Sequence, residues 1–385
     1  LIATLAQFST DIYLPSLPAI AEFFNVDMNS SQLSIALYMV ALTVTQLFWG
    51  PFSDIVGRKR ALYVGLVISI FGTIMCANAT SITILIVGRF IQGLGNGAAA
   101  GLFRAILRDR FKGEELASIA SYFSNFLVLV LMLAPVIGGL FQKYYSWQAS
   151  FVFLLFWSFL CVIVLKFTIC ETQKIRYKGS ADDWKLAYRR LLSSPIFMGC
   201  CLSNFLTYGG MFAWITSSSS LLVDQMQMSP INFGFWSGVT GAGLMVGAFF
   251  NGTFVKRFGI TKMLYWGWSI IVFSGLILMI TSLCFAPMIS AILMSVFGFY
   301  LGASLVFANT NATAFSPFGD IAGTASGLYA FIQLSGGAAM SYLVASISES
   351  DSLLLGGMFA LSGASASLVF FIMSRYTETS VMYDS

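Results

Sequence analysis

Apolar stretches of about 20 residues recur from one end of this chain to the other, with few charges inside them. At about 1.5 Å of rise per residue, each stretch is long enough to cross the hydrocarbon core of a bilayer as a helix. Hydrophobic residues fill 58% of the 385 positions and charged residues 9%. A soluble domain carries roughly 25% charged residues. No segment keeps the strict apolar/polar alternation of a membrane β-barrel. Lipid offers no partner to an unpaired backbone group, so helices must do the crossing. The expectation is an all-α membrane protein.

Twelve spans can be drawn, at 2–24, 33–53, 60–79, 82–108, 116–141, 147–169, 196–222, 230–255, 262–283, 286–313, 320–348 and 352–374. Turn and breaker residues such as Asn29, Ser30, Ser229 and Pro230 fall between them. The chain opens on Leu1, and its start does not read as a signal peptide. It has no basic n-region and no small-residue cleavage site, and Asp11 interrupts its apolar run, so it is read as the first spanning helix.

The connections sort by charge. Arg58, Lys59 and Arg60 follow the second span, and Arg108, Arg110 and Lys112 the fourth. Lys174, Arg176, Lys178, Lys185, Arg189 and Arg190 follow the sixth. Lys256, Arg257 and Lys262 follow the eighth, and Arg375 ends the twelfth. The alternate connections hold Lys143 and otherwise acids: Asp27, Asp224, Glu349 and Asp351. Positive charge stays in the cytoplasm, so both termini are expected there. The long polar stretch 170–195 reads as a cytoplasmic linker between six-span bundles at 1–169 and 196–385. The halves echo each other: Gly50 and Gly57 close the second span as Gly252 and Gly259 close the eighth. Likewise Gly93 and Gly95 of span four correspond to Gly298 and Gly302 of span ten. Two pseudo-symmetric six-helix bundles suit a transporter whose site lies near the midplane.

Composition also excludes. The basic residues form no dense patch, so nucleic acid is not an expected partner. The six cysteines lie in or near apolar runs at no metal-ligand spacing. Histidine is absent, so any proton carrier must be a carboxylate. Catalysis at depth would need clustered acids or a nucleophile with its base, and neither is present in the sequence, so no enzyme is expected.

Most specific is the segment Gly50, Pro51, Phe52, Ser53, Asp54, Ile55, Val56, Gly57, Arg58, Lys59, Arg60. It resembles the signature loop between helices two and three of the major facilitator superfamily. Asp11 to Pro18, Gly88 to Gly93, Arg104 to Asp109 and Ala134 to Gly139 narrow the resemblance to Bcr/CflA-type drug:proton antiporters.

The resemblance implies a secondary active transporter of the bacterial cell inner membrane. It would be a monomer, export drugs or small organic metabolites in exchange for protons, and need no cofactor beyond the proton gradient. Import of a nutrient by symport is the alternative, since one acid serves either direction. In the family loop, Asp54, Arg58 and Asp109 would form a cytoplasmic gate. Asp54 can meet a helix N-terminus and Arg58 can pair with Asp109. The plainer reading is a basic cluster on a tight glycine turn. In the second half Lys256 replaces the acid, so no equivalent latch is expected there.

Asp11 stands in the family's first-helix acid position. A carboxylate inside a span is costly, and desolvation favours its neutral form, which suits reversible protonation. Arg89, the family's arginine of span four, lies at similar depth and would tune Asp11. The plainer readings are an interfacial Asp11 paired with a base, and an Arg89 that only hydrogen-bonds Gln92 and carbonyls. Pro135, Gly138 and Gly139 match the antiporter motif, except that Ala134 and Val130 stand where glycines are usual. They bend the helix and let neighbours approach. Candidates for the substrate cavity are Tyr13, Tyr38, Gln46, Arg104, Asn125, Asn204, Tyr208, Trp236 and Asn309.

Overall fold

The computed structural model describes residues 2–110, 113–168, 181–285, 288–318, 321–347 and 351–383. Among the described residues, eleven helices are long and apolar enough to cross a membrane. The protein is a multi-pass membrane protein.

The first expected span departs from a single helix. It is split into α1 (Ile2–Asp11), a short 3-10 turn (Leu14–Ser16) and α2 (Leu17–Phe24). Pro15 and Pro18 each remove a backbone donor, so the α1 ladder cannot run through them. The break falls just after Asp11. Asn25 takes a left-handed conformation (φ 52°) and closes α2.

The other helices follow the apolar pattern, several overrunning the expected spans at their ends. They are α3 (Met28–Val56), α4 (Arg58–Ala77), α5 (Ile82–Arg110), α6 (Gly113–Tyr144) and α7 (Trp147–Thr168). The expected linker contains a helix, α8 (Ala181–Leu192), with buried Leu191 and exposed Leu186 and Leu192. Then come α9 (Pro195–Ser219), α10 (Pro230–Phe258), α11 (Ile260–Cys284), α12 (Ile289–Phe315), α13 (Ala322–Ala345) and α14 (Ser352–Tyr383). A π-helical turn, Ser220–Gln225, extends α9.

The chain divides into two compact units. One draws on Leu1–Tyr177, Ile215–Val239 and Ser341–Ser350; the other on Lys178–Trp214, Thr240–Met340 and Asp351–Ser385.

In the first unit α5 is the central helix, and its glycines set the spacing. A Cβ on Gly95 would lie 2.4 Å from the Gly65 carbonyl oxygen of α4. A Cβ on Gly93 would lie 2.5 Å from the Tyr38 carbonyl oxygen of α3. Backbones therefore meet almost directly, and the polar side chains between them are held by rigid neighbours. In the second unit a Cβ on Gly302 of α12 would likewise lie 2.6 Å from the Gly267 carbonyl oxygen of α11. The tight turns also recur. Gly57 between α3 and α4 has φ 100°, and Gly259 between α10 and α11 has φ 82°.

Candidate functional site

The first unit holds a connected polar core on α1, α3, α4 and α5. Asp11, the last residue of α1, is 1% exposed and accepts a 2.5 Å hydrogen bond from Gln7, one turn earlier. Arg89 of α5 is fully buried, and its Nη1 donates to Gln92. Gln92 passes the chain on, donating to Thr73 of α4 at 2.8 Å. Arg89 thus bonds Gln92. Further contacts go beyond it.

The Arg89 guanidinium lies 4.4 Å from the ring centre of Tyr13 and 4.0 Å from that of Tyr38. Two aromatic faces take the place of a carboxylate, a favourable setting for a delocalised cation shielded from water. Asp11 and Arg89 do not pair: Asp11 bonds Gln7, and Arg89 Nε and Nη2 have no hydrogen-bond partner.

Tyr13 and Tyr38 are fixed in turn. The Tyr13 hydroxyl is 3.2 Å from that of Ser34. Tyr38 donates to the Ala6 carbonyl at 3.0 Å and lies 3.1 Å from the Asn96 amide nitrogen. Asn96 also donates to Ser9 at 3.0 Å and accepts from Ser69 at 2.7 Å. One amide therefore ties α1, α3, α4 and α5 together. Asn96 and Ser9 escaped the sequence reading. Asn96 stands seven residues after Arg89, two helical turns along the same face, and that spacing was the available signal.

The glycine motif of α6 lies against this core. Gly138 meets the Ile12 carbonyl at the α1 break so closely that a Cβ would sit 1.6 Å from the oxygen. A Cβ on Gly139 would clash with the Pro230 carbonyl oxygen, and one on Gly234 of α10 with the Pro135 carbonyl oxygen. Only hydrogen fits at these positions, so small residues here set how close α6 comes to its neighbours.

The remaining candidates scatter. Gln46 on α3 reaches the Gly97 carbonyl of α5 at 3.5 Å. Trp236 is 39% exposed and touches Phe235 edge-on. In the second unit, Asn309 is occupied by Asn251 at 2.6 Å and by the Leu305 carbonyl at 2.8 Å. The Tyr208 ring packs on Phe212 and Phe307. Asn204 is buried with neither amide atom hydrogen-bonded. Of the gate residues, Arg58 is buried and donates to Ser53. The side chains of Asp54, Arg104, Asp109 and Asn125 lie outside the described residues. Among the described residues no group of three His, Cys, Asp or Glu could hold a metal ion.

Residues 1–341 match the model of the Major Facilitator Superfamily. An uncharacterized MFS-type transporter, YdgK of Bacillus subtilis, is 28% identical over 97% of this chain and 94% of its own length. The bicyclomycin resistance protein homolog of Haemophilus influenzae is 27% identical over 97% of this chain and 95% of its own. The multidrug resistance protein D of Escherichia coli is 27% identical over 94% and 91%. In fold, the chain is similar to the xylose transporter XylE of E. coli, with a TM-score of 0.71 and 14% identity over 97% of this chain and 96% of that one. At that identity the likeness bears on fold alone.

Proposed function

Because this chain belongs to the Major Facilitator Superfamily, we propose that it exports drugs or small organic metabolites across the bacterial inner membrane in exchange for protons. It is a transporter and not an enzyme. Its relatives include proteins named for bicyclomycin and multidrug resistance, which supports efflux as the direction. In this reading the chain crosses the membrane twelve times, with the broken α1–α2 segment as the first crossing. Two six-helix bundles, 1–169 and 196–385, are joined by the cytoplasmic linker 170–195, and both termini face the cytoplasm. The protein works as a monomer by alternating access, driven by the proton gradient without a cofactor.

The observation that carries the proposal is the state of Asp11. It is buried at a helix break, has one amide donor and is not paired with the nearby arginine. An ionised carboxylate in that setting is costly, and binding a proton removes the cost. The fixed charge of Arg89, held over Tyr13 and Tyr38, opposes that protonation and keeps it reversible. Substrate and proton would then compete through the same α1–α5 contact, as exchange requires. In the same reading Asp54, Arg58 and Asp109 latch the cytoplasmic side. Gly138 holds α6 close to the break after α1, and Pro135 and Gly139 hold it close to the start of α10. Tyr208, Asn204 and Trp236 remain substrate candidates.

Asp11→Asn tests this directly. In inverted vesicles, which accumulate exported compounds when energised, the variant is expected to lose proton-driven ethidium uptake while inserting and folding normally. Uptake at the wild-type rate would refute coupling at Asp11. Wild-type accumulation in right-side-out vesicles instead would favour the symport reading.

A further inference from the structure

Buried polar atoms in a native protein almost always have partners in the protein or in ordered water. In the described part of the first bundle, a set of exceptions gathers at one end. They are Ser16 Oγ, Ser31 Oγ, both amide atoms of Gln32, Arg89 Nε and Nη2, Trp147 Nε1 and Ser150 Oγ, with Gln142 Oε1 of the last turn of α6 besides. Apart from Gln142, these atoms come from four separate stretches: the turn after α1, the start of α3, the second turn of α5 and the first turn of α7. All lie toward the end away from Gly57 and its basic cluster.

The stretches converge on Tyr13. The Ser16 amide donates to the Tyr13 carbonyl at 2.9 Å. The Tyr13 hydroxyl meets Ser34, which donates to the Ser31 carbonyl at 2.6 Å, next to Gln32. Arg89 covers one side of the Tyr13 ring. Phe151, beside Ser150, lies 5.6 Å away from it, and Trp147 packs on Phe151. The set includes pure donors (Arg89 and Trp147), hydroxyls that do both, and an amide oxygen that accepts. Water is the one small partner able to serve all of them, since each molecule both donates and accepts.

We propose that these atoms line a water wire inside the first bundle that carries protons from the external face to Asp11, apart from the path of the exported compound. The inference rests on the coupling role given to Asp11 above. Its outer mouth is the α2–α3 connection, where Glu22 and Asp27 are exposed and attract protons. Its inner end is Asp11, two residues before Tyr13. A proton entering at the mouth binds one water, which releases another proton to the next, and the last is taken by the Asp11 carboxylate. No net bond is made except that O–H bond. The charged or titratable groups around the path are Arg89 of α5, Tyr13 of the α1 turn, Tyr38 of α3, Cys76 of α4 and the exposed Lys143 of α6. The fixed charge of Arg89 makes a resting hydronium unfavourable beside it, so the proton comes to rest on Asp11 and not along the wire.

Two measurements on the purified full chain test this without a transported compound. In radiolytic hydroxyl labelling, bound water makes a buried side chain react fast. Trp147 is expected to label about tenfold faster than Trp49, which is equally buried but whose Nε1 donates to the Leu94 carbonyl at 2.9 Å. Labelling of Trp147 as slow as that of Trp49 would overturn the wire. In reconstituted vesicles, the infrared band of a protonated carboxyl, assigned by its loss in Asp11→Asn, follows proton arrival after an external pH drop. Gln32→Leu is expected to slow that arrival about tenfold and leave its final extent unchanged, with Gln32→Asn restoring the rate. An unchanged rate in a Gln32→Leu protein with a wild-type melting temperature would sink the wire and leave coupling at Asp11 standing. If Asp11→Asn removes no band, the coupling reading itself fails.

Discussion

Gly138 is pressed onto the carbonyl oxygen of Ile12, at the point where the first helix breaks. A Cβ there would sit 1.6 Å from that oxygen, far inside any van der Waals contact. The neighbour is backbone and cannot swing aside. Gly138→Ala must therefore push α6 off the α1 break, at a cost of about 1–3 kcal/mol or more. The expected result is a lower melting temperature in detergent and lost proton-driven transport. Gly50→Ala is the matched control: a Cβ there meets nothing within 4 Å. It should also gain slightly from the higher helix propensity of alanine, about 1 kcal/mol at most. Equal melting temperatures for the two variants would contradict the close contact.

The paired glycine turns make a second comparison. Gly57 at φ 100° and Gly259 at φ 82° occupy backbone conformations that side chains with a Cβ rarely adopt. Alanine at either position is expected to cost about 1–2 kcal/mol. No neighbour lies within 4 Å of a Cβ on Gly259, so crowding cannot explain a loss there. Thermal unfolding of Gly259→Ala checks the backbone effect alone. A variant as stable as the parent would show that the turn relaxes freely.

The sequence disclosed these two turns through the repeated spacing of Gly50–Gly57 and Gly252–Gly259. It also disclosed the spans, because twenty apolar residues have few alternatives to a membrane helix. Asp11 and Arg89 stood out for a related reason: charge inside a span is rare enough to be read one residue at a time. The contacts of those two residues were harder to see. Serine, threonine and asparagine are ordinary in membrane helices, and what Asn96 touches depends on how α5 is rotated against α1, α3 and α4. Glycine contacts along α5 fix that rotation, and their partners belong to other helices. The α1 break was visible only as two prolines, with no hint that Gly138 would seat against it. Helix α8 was missed because the charge pattern of 170–195 dominated its short apolar face.

Arg89→Lys keeps the charge and tests the geometry. Lysine has no planar face to lie between Tyr13 and Tyr38, and its compact ammonium is more strongly hydrated. Loss of the desolvated cation–π contacts is expected to cost about 2 kcal/mol. Transport driven by a proton gradient should fall severely, while the membrane-inserted amount, read by quantitative blotting, stays near wild type. Full activity in Arg89→Lys would mean that charge alone suffices and the aromatic sandwich has no role.

Tyr38 separates ring from hydroxyl. Its ring lies 4.0 Å below Arg89, and its hydroxyl donates to Ala6 and meets Asn96. Tyr38→Phe keeps the ring and deletes the hydroxyl, leaving the Ala6 carbonyl to its helix partner and Asn96 still bonded to Ser9 and Ser69. Its expected cost is about 1 kcal/mol in stability, with transport largely kept. Tyr38→Leu deletes the aromatic face as well, leaving a buried guanidinium with one ring, and is expected to abolish proton-driven transport. The two variants remove the same hydroxyl, so the difference between their transport rates measures what the ring does for Arg89. If Phe and Leu behave alike, the hydroxyl network and not the stacked cation is what the transporter depends on at this position.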